Sequence, residues 1–196
     1  MITSLDKTTA VILAAGRSSR AQGFKPLFDF GGQAMIRRIA ETFLAVCDRV
    51  IVVGGFRYFD IESALAACPA VELLENPDYD AGMFSSIQCG VSRIDSGRFF
   101  LMPGDLPLVD APMLRSLLEL DGPVVQPAFR GRRGHPVLLD WPLADEILAE
   151  PIDSSLRAVL GRHPVHCREM EHDGTLRDLD TPDDYRELLA RLDGRT

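Results

Sequence analysis

Lysine is scarce in this chain. Its 196 residues include 21 basic ones, and only Lys7 and Lys25 are lysines. Positive charge is also in deficit overall. The formal net charge of −8 argues against nonspecific binding to nucleic acid or to an anionic membrane surface. No apolar run approaches the length of a membrane span. Met1–Thr9 lacks the charged-then-apolar pattern of a signal peptide. The four cysteines, Cys47, Cys68, Cys89 and Cys167, form no C-x-x-C pair, which disfavours zinc and fits thiols in a cytoplasmic protein. There is no internal repeat, linker or low-complexity tract. The length fits one domain over 1–196, with 1–8 expected as a flexible tail.

Two familiar phosphate loops are absent as well. Gly16 has Ala21 five residues on, and Lys25 is followed by Pro26, so there is no Walker loop. Gly16 is followed by Arg17 and Ser18, which excludes a dinucleotide fingerprint at that point. What stands there instead is Ala10-Val-Ile-Leu13, a short strand-like run, then Ala14-Ala15-Gly16, then a polar loop with Arg17, Ser18, Ser19, Arg20 and Lys25. Residues with almost no side chain let a ligand approach the backbone. Free N–H groups with Arg and Lys beside them suit a phosphate chain. An ordinary strand-to-helix loop with solvated charges is the plainer alternative. A compact point charge kept here by an arginine-rich chain favours phosphate.

Strand and helix patterns alternate along the rest. Strands are expected at Ala10–Ala14, Val50–Val53, Val71–Glu75, Phe99–Met102, Val124–Pro127 and Val165–Met170. Helices are expected at Ala34–Val46, Ile61–Ala67, Ser85–Ile94, Pro112–Leu120, Leu143–Ala149, Leu156–Leu160 and Pro182–Leu192. Phe129–Leu139, with Arg-Gly-Arg-Arg-Gly in its middle, fits a hairpin or an extended loop. The pattern predicts an open, mainly parallel α/β sheet covered on both faces. Ligands of such sheets lie beyond the carboxyl ends of the strands, which would gather Gly16–Lys25, Gly54-Gly55 and Gly104-Asp105 into one crevice.

Asp105 follows a buried strand and a Pro-Gly turn. It reads equally as a turn residue or as a magnesium ligand until the first loop tips the balance to metal. Asn76–Met83 precedes Ser85-Ser86; Gly82 lets a base or ribose approach and a serine could bond it, though a plain serine N-cap is nearly as good a reading. Arg130, Arg132, Arg133 and His135 form a glycine-hinged loop suited to an anionic substrate or to a solvated hairpin. Thr181, Pro182 and Asp184 make a helix cap, which leaves Asp180 just outside it for another role.

Together these residues resemble the molybdenum cofactor nucleotidyltransferases. The resemblance rests on Leu13-Ala14-Ala15-Gly16-x-Ser18-Ser19-Arg20…Lys25, Asn76…Gly82-Met83…Ser86, Gly104-Asp105-x-Pro107, Gly134-His135-Pro136-Val137 and Asp178-x-Asp180-Thr181-Pro182, in that order. It implies a Rossmann-like three-layer α/β/α fold, Mg²⁺ and a nucleoside triphosphate. It implies Arg20, Lys25 and Asp105 as catalytic residues, with Asp105 and Asp180 as metal ligands. Leu13, Ala14, Ala15, Gly16, Arg20, Lys25, Gly82, Ser86 and Gly104 would line the nucleotide; Arg133, Gly134, His135 and Pro136 would face the acceptor. Guanylyl-transferring relatives usually carry Leu-Ala-Gly-Gly at the first motif. Ala15 in the third position therefore favours CTP, with molybdopterin as acceptor and transient contact with a molybdoenzyme or its chaperone. The chain departs from the family pattern at Ala21-Gln22, at Phe84 and at Ser154-Ser155-Leu156-Arg157. These departures bear on the acceptor more than on the reaction. A sugar-phosphate nucleotidyltransferase and a non-catalytic chaperone are the competing expectations.

Overall fold

The computed structural model describes residues 7–18 and 23–194. Arg20 and most of the expected tail lie outside the described residues, and Thr8, the tail's last residue, already belongs to the first strand. The strands are β1 (Thr8–Leu13), β2 (Arg49–Gly54), β3 (Val71–Glu75), β4 (Arg98–Pro103), β5 (Val124–Phe129), β6 (Arg132–Arg133), β7 (Val137–Asp140) and β8 (Val165–Glu169). The helices are α1 (Met35–Leu44), α2 (Tyr58–Leu65), α3 (Met83–Val91), α4 (Ala111–Leu118), α5 (Pro142–Ala149), α6 (Leu156–Leu160) and α7 (Pro182–Asp193).

All strands form one sheet in the order β3-β2-β1-β4-β7-β5-β6, with β8 beside β5. Side chains alternate across it. Ala10, Ile12, Val50, Val52, Phe100 and Met102 point to one face, where α1, α2, α4 and α7 pack. Val11, Ile51, Val53, Phe99 and Leu101 point to the other, under α3, α5 and α6. Both faces are dry, so the strands read as continuous apolar runs. The expected three-layer α/β/α architecture is the one observed.

Strands β1 to β4 are mutually parallel where they pair. Two strands break the pattern: β6 pairs antiparallel with β5 at the edge, and β7 lies antiparallel between β4 and β5. The segment expected as a hairpin supplies both. Strands β5 and β6 turn back through Arg130 and Gly131, both at positive φ (51° and 74°), the backbone that a two-residue primed hairpin turn demands. The chain then passes through Gly134-His135-Pro136 into β7. Because β7 runs backwards, its start sits beside the end of β4, with Leu101 opposite Val137. That reversal carries the Gly-His-Pro segment to the carboxyl edge of the parallel strands.

The order changes direction at β1: β2 and β3 lie on one side and β4 on the other. At such a switch point the strand ends part and leave a crevice. Under it, Phe100 is fully buried and meets the Phe43 ring edge-on at 5.7 Å between centroids. Phe100→Ala should cost about 3–5 kcal/mol of stability, since the site is walled by regular elements that collapse poorly. Urea unfolding checks it; a loss below about 1 kcal/mol would show that this layer repacks.

Candidate functional site

The crevice begins where β1 and β4 end together. Gly104 N donates to Leu13 O at 2.8 Å, continuing the ladder one residue past the strands. A Cβ on Gly104 would stand 2.8 Å from that same oxygen, so only glycine permits this approach. The next residue, Asp105, is thereby aimed over the end of β1. Opposite it, a 3-10 turn (Lys25–Leu27) holds Lys25, whose N–H donates to Ser18 Oγ.

Lys25 Nζ donates to Asp105 Oδ2 at 3.2 Å and to Asp180 Oδ1 at 2.6 Å. Asp180 arrives by a separate route. Leu179 is buried, and its N–H donates to Asp105 O at 2.9 Å, which stitches the Asp178–Asp180 segment to the end of β4. Beyond it Thr181 and Asp184 form the expected capping box on α7, and Asp184 Oδ2 also accepts from Asp180 N at 3.1 Å. Burial works against the Lys25 ammonium, but bonds to Asp180 and Asp105 outweigh it and hold the group above its ordinary pKa. Burial pushes the Asp105 carboxyl up; Lys25 opposes that, and the charges of Asp178 and Asp180 reinforce it.

Leu13, Ala14, Ala15, Gly16, Ser18, Lys25, Gly82, Ser86, Gly104 and Asp105 all line one cleft of about 340 Å³. Its far wall is the turn before α3. Gly82 sits at φ 109°, a conformation that glycine alone takes without strain, and it opens the helix without any side-chain cap. Ser85 and Ser86 therefore do not cap α3. They are held by Asn76, whose Nδ2 donates to Ser85 Oγ at 2.9 Å and Ser86 Oγ at 3.0 Å. Across the mouth, Arg17 binds Asp80 at 2.8 Å and lies over the rings of Phe56 and Tyr79.

A second cleft, of about 1310 Å³, continues from the first past Leu13, Gly82, Met83 and Pro103. Arg133, Gly134 and His135 are on its wall; Pro136 is buried and is not among its lining residues. His135 N–H donates to Thr175 O, and Thr175 Oγ1 donates back to His135 O at 2.6 Å, fixing the loop. Burial lowers the His135 pKa, so the ring is neutral near pH 7. The outer wall includes Ser154, Ser155 and Arg157, from the segment that departs from the family pattern, together with His163 and Cys167, which sequence reasoning missed. No motif marks His163 or Cys167.

A strand-end crevice with a lysine, two convergent carboxylates and an adjoining larger cleft fits a nucleotidyltransferase of Rossmann-like fold. The comparisons place it more closely. Residues 10–167 match the MobA-like NTP transferase domain, and the chain belongs to that family. It is 28% identical over 177 residues to the molybdenum cofactor cytidylyltransferase of Escherichia coli (strain K12), covering 89% of this chain and 92% of that one. It is also 28% identical over 210 residues to a probable molybdenum cofactor guanylyltransferase of Natronomonas pharaonis, covering 96% and 100%. A nucleotidyl transferase from Methanothermobacter thermautotroptrophicus superposes with a TM-score of 0.86 at 24% identity, over 97% of this chain and 100% of its own. A Mycobacterium tuberculosis H37Rv protein solved in complex with manganese superposes with a TM-score of 0.77 at 25% identity, over 94% and 98%. Among the described residues no helix is long and apolar enough to cross a membrane.

Asn76→Ala would strip both serines of their buried donor and free the Asp78 N–H, which now donates to Asn76 Oδ1. We expect a stability loss of about 1–3 kcal/mol, the cost of leaving buried polar groups unpaired. Chemical denaturation of wild type and variant measures it; equal midpoints would mean that solvent replaces the amide.

Proposed function

We propose that this protein transfers CMP from CTP to the terminal phosphate of molybdopterin and releases pyrophosphate. The observation that carries the reading is the meeting of Lys25, Asp105 and Asp180: Lys25 and Asp105 line the small cleft, and Asp180 reaches the same ammonium from the approach to α7. The donor set fits a divalent cation, Mg²⁺ by this reading. Two carboxylate oxygens converge on one point already taken by a cation, and Mg²⁺ is commonly held by one or two carboxylates together with substrate phosphates. Asp105 and Asp180 would hold it; when bound, it supplies charge neutralisation at the reacting phosphate.

The chain's own groups do the rest. The backbone of Ala14–Gly16 admits the triphosphate, and Lys25, with Arg20 by family resemblance, neutralises it. Gly82 and Ser86 adjoin base or ribose. An acceptor phosphate monoester is already anionic and needs no general base. Held by Arg133 and the Gly134-His135 segment in the large cleft, it attacks the α-phosphorus in line, and pyrophosphate departs toward Lys25. Positioning and electrostatics supply the catalysis. The volume of the large cleft and its mixed lining, with Leu101 and Val137 beside Arg133 and Gln126, support a bulky ring-bearing acceptor over a small sugar phosphate. Four free cysteines fit a reducing cytoplasmic setting.

Ala15 supports CTP. It is buried beside Gly55 and lines the small cleft, and on this reading its methyl narrows the space that a purine would need. Such a methyl is worth about 1–3 kcal/mol, so hydrogen bonds from Gly82–Ser86 must supply further discrimination. We expect pyrophosphate release with molybdopterin to run faster with CTP than with GTP, and Ala15→Gly to narrow the gap without reversing it. Equal use of both nucleotides by the wild type would overturn the cytidylyl assignment and leave nucleotidyl transfer intact. Faster release with a sugar phosphate would overturn the acceptor.

A further inference from the structure

Lys25 is a lysine where the chain otherwise spends arginine, and its ammonium lies between the two carboxylates rather than out in the cleft. Its side chain is 11% exposed, against 25% for Asp105 and 41% for Asp180. The pair is therefore more open to incoming ions than the lysine that bridges it. A hard cation bound at about 2.0–2.1 Å to the same two oxygens, Asp105 Oδ2 and Asp180 Oδ1, would press directly on the ammonium. Two like charges that close repel strongly in a partly buried site. Both cannot keep the same place.

We propose that Lys25 is the resident cation of the Asp105–Asp180 pair and is exchanged for the divalent cation, its ammonium passing to the triphosphate. This rests on the reading of Asp105 and Asp180 as metal ligands. The flexible four-carbon stem of lysine permits such a move, whereas an arginine fork would pair both carboxylates and resist it. A cation binding alone must dislodge a tethered competitor. A triphosphate gives that competitor somewhere to go, so the two ligands favour one another, and the coupling is reciprocal.

The full chain serves for the test, without acceptor. Mn²⁺ binding is followed by the electron paramagnetic resonance of free Mn²⁺, and inorganic tripolyphosphate binding by calorimetry in metal-free buffer. Lys25→Met should bind Mn²⁺ tighter than wild type, by about fivefold or more, the low end of site-to-site coupling. The same variant should bind tripolyphosphate more weakly. Lys25→Gln, which keeps a hydrogen-bond donor between the carboxylates, should shift both affinities in the same directions and stands in if the methionine variant does not fold. Opposite signs are the signature, because a lysine that merely shaped the site would weaken both ligands when removed. Unchanged or weaker Mn²⁺ binding in the lysine variants would overturn the exchange. Adding Asp105→Asn to Lys25→Met should abolish the gained Mn²⁺ affinity; if the gain persists, the ligand reading itself fails, a separate result.

Discussion

The ammonium of Lys25 between Asp105 and Asp180 is the constraint on which the rest of this molecule turns. It joins residues 80 and 155 positions apart in the chain. Each partner comes from a different part of the fold: Lys25 from the loop after β1, Asp105 from the end of β4, Asp180 from the approach to α7. Two like charges at this separation would repel without a cation between them. The bridge therefore closes the carboxyl edge of the sheet as well as furnishing the site. It is only partly buried, and its value lies in where it puts charge rather than in net stability.

The sheet makes that meeting unavoidable. β1 and β4 run parallel and finish level, Leu13 beside Pro103, so their following residues must emerge together. Gly104 lets the two backbones stay bonded one residue beyond the strands, and Leu179 then ties the third segment to Asp105. The antiparallel β7 adds the last component. A parallel strand in its place would begin at the far edge of the sheet and carry Gly134-His135 away from the crevice. One reversed strand thus turns a nucleotide-sized cleft into two clefts that share a boundary.

Much of this was legible in the sequence. β3 and α6 fall where their patterns put them, because an apolar run or a helical stripe bounded by turn residues has one burial solution. The capping box of Thr181 and Asp184 was readable for the same local reason. The reversal of β7 was not: a buried strand shows the same apolar face whichever way it runs. The start of α3 was misplaced toward the serines, since Ser-Ser before a helical pattern looks like a cap; Gly82 at positive φ makes the entry instead, and Asn76 claims both hydroxyls. The placement of Asp105 and Asp180 beside a lysine needed the topology, because no local pattern joins positions so far apart. His163 and Cys167 on the large cleft carried no signal at all, being single residues at the exit of α6 and on β8.

That asymmetry between the two clefts has a chemical logic. On the proposed reading the small cleft takes a triphosphate, a ligand of fixed shape and high charge, and its parts are backbone, small residues and one convergent charged cluster. Such parts tolerate little substitution and so leave a readable motif. On the same reading the large cleft takes the other reactant through side chains spread over α3, β5, β7, α6 and β8. Each contributes shape or one polar group, and many combinations could fill the same volume. The conflict between relatives named for cytidylyl and guanylyl transfer, both at 28% identity, follows from the same division. Overall identity counts the shared scaffold and the shared phosphate floor. On the proposed reading, base choice depends on the few positions of the small cleft that would meet the base, Ala15 among them.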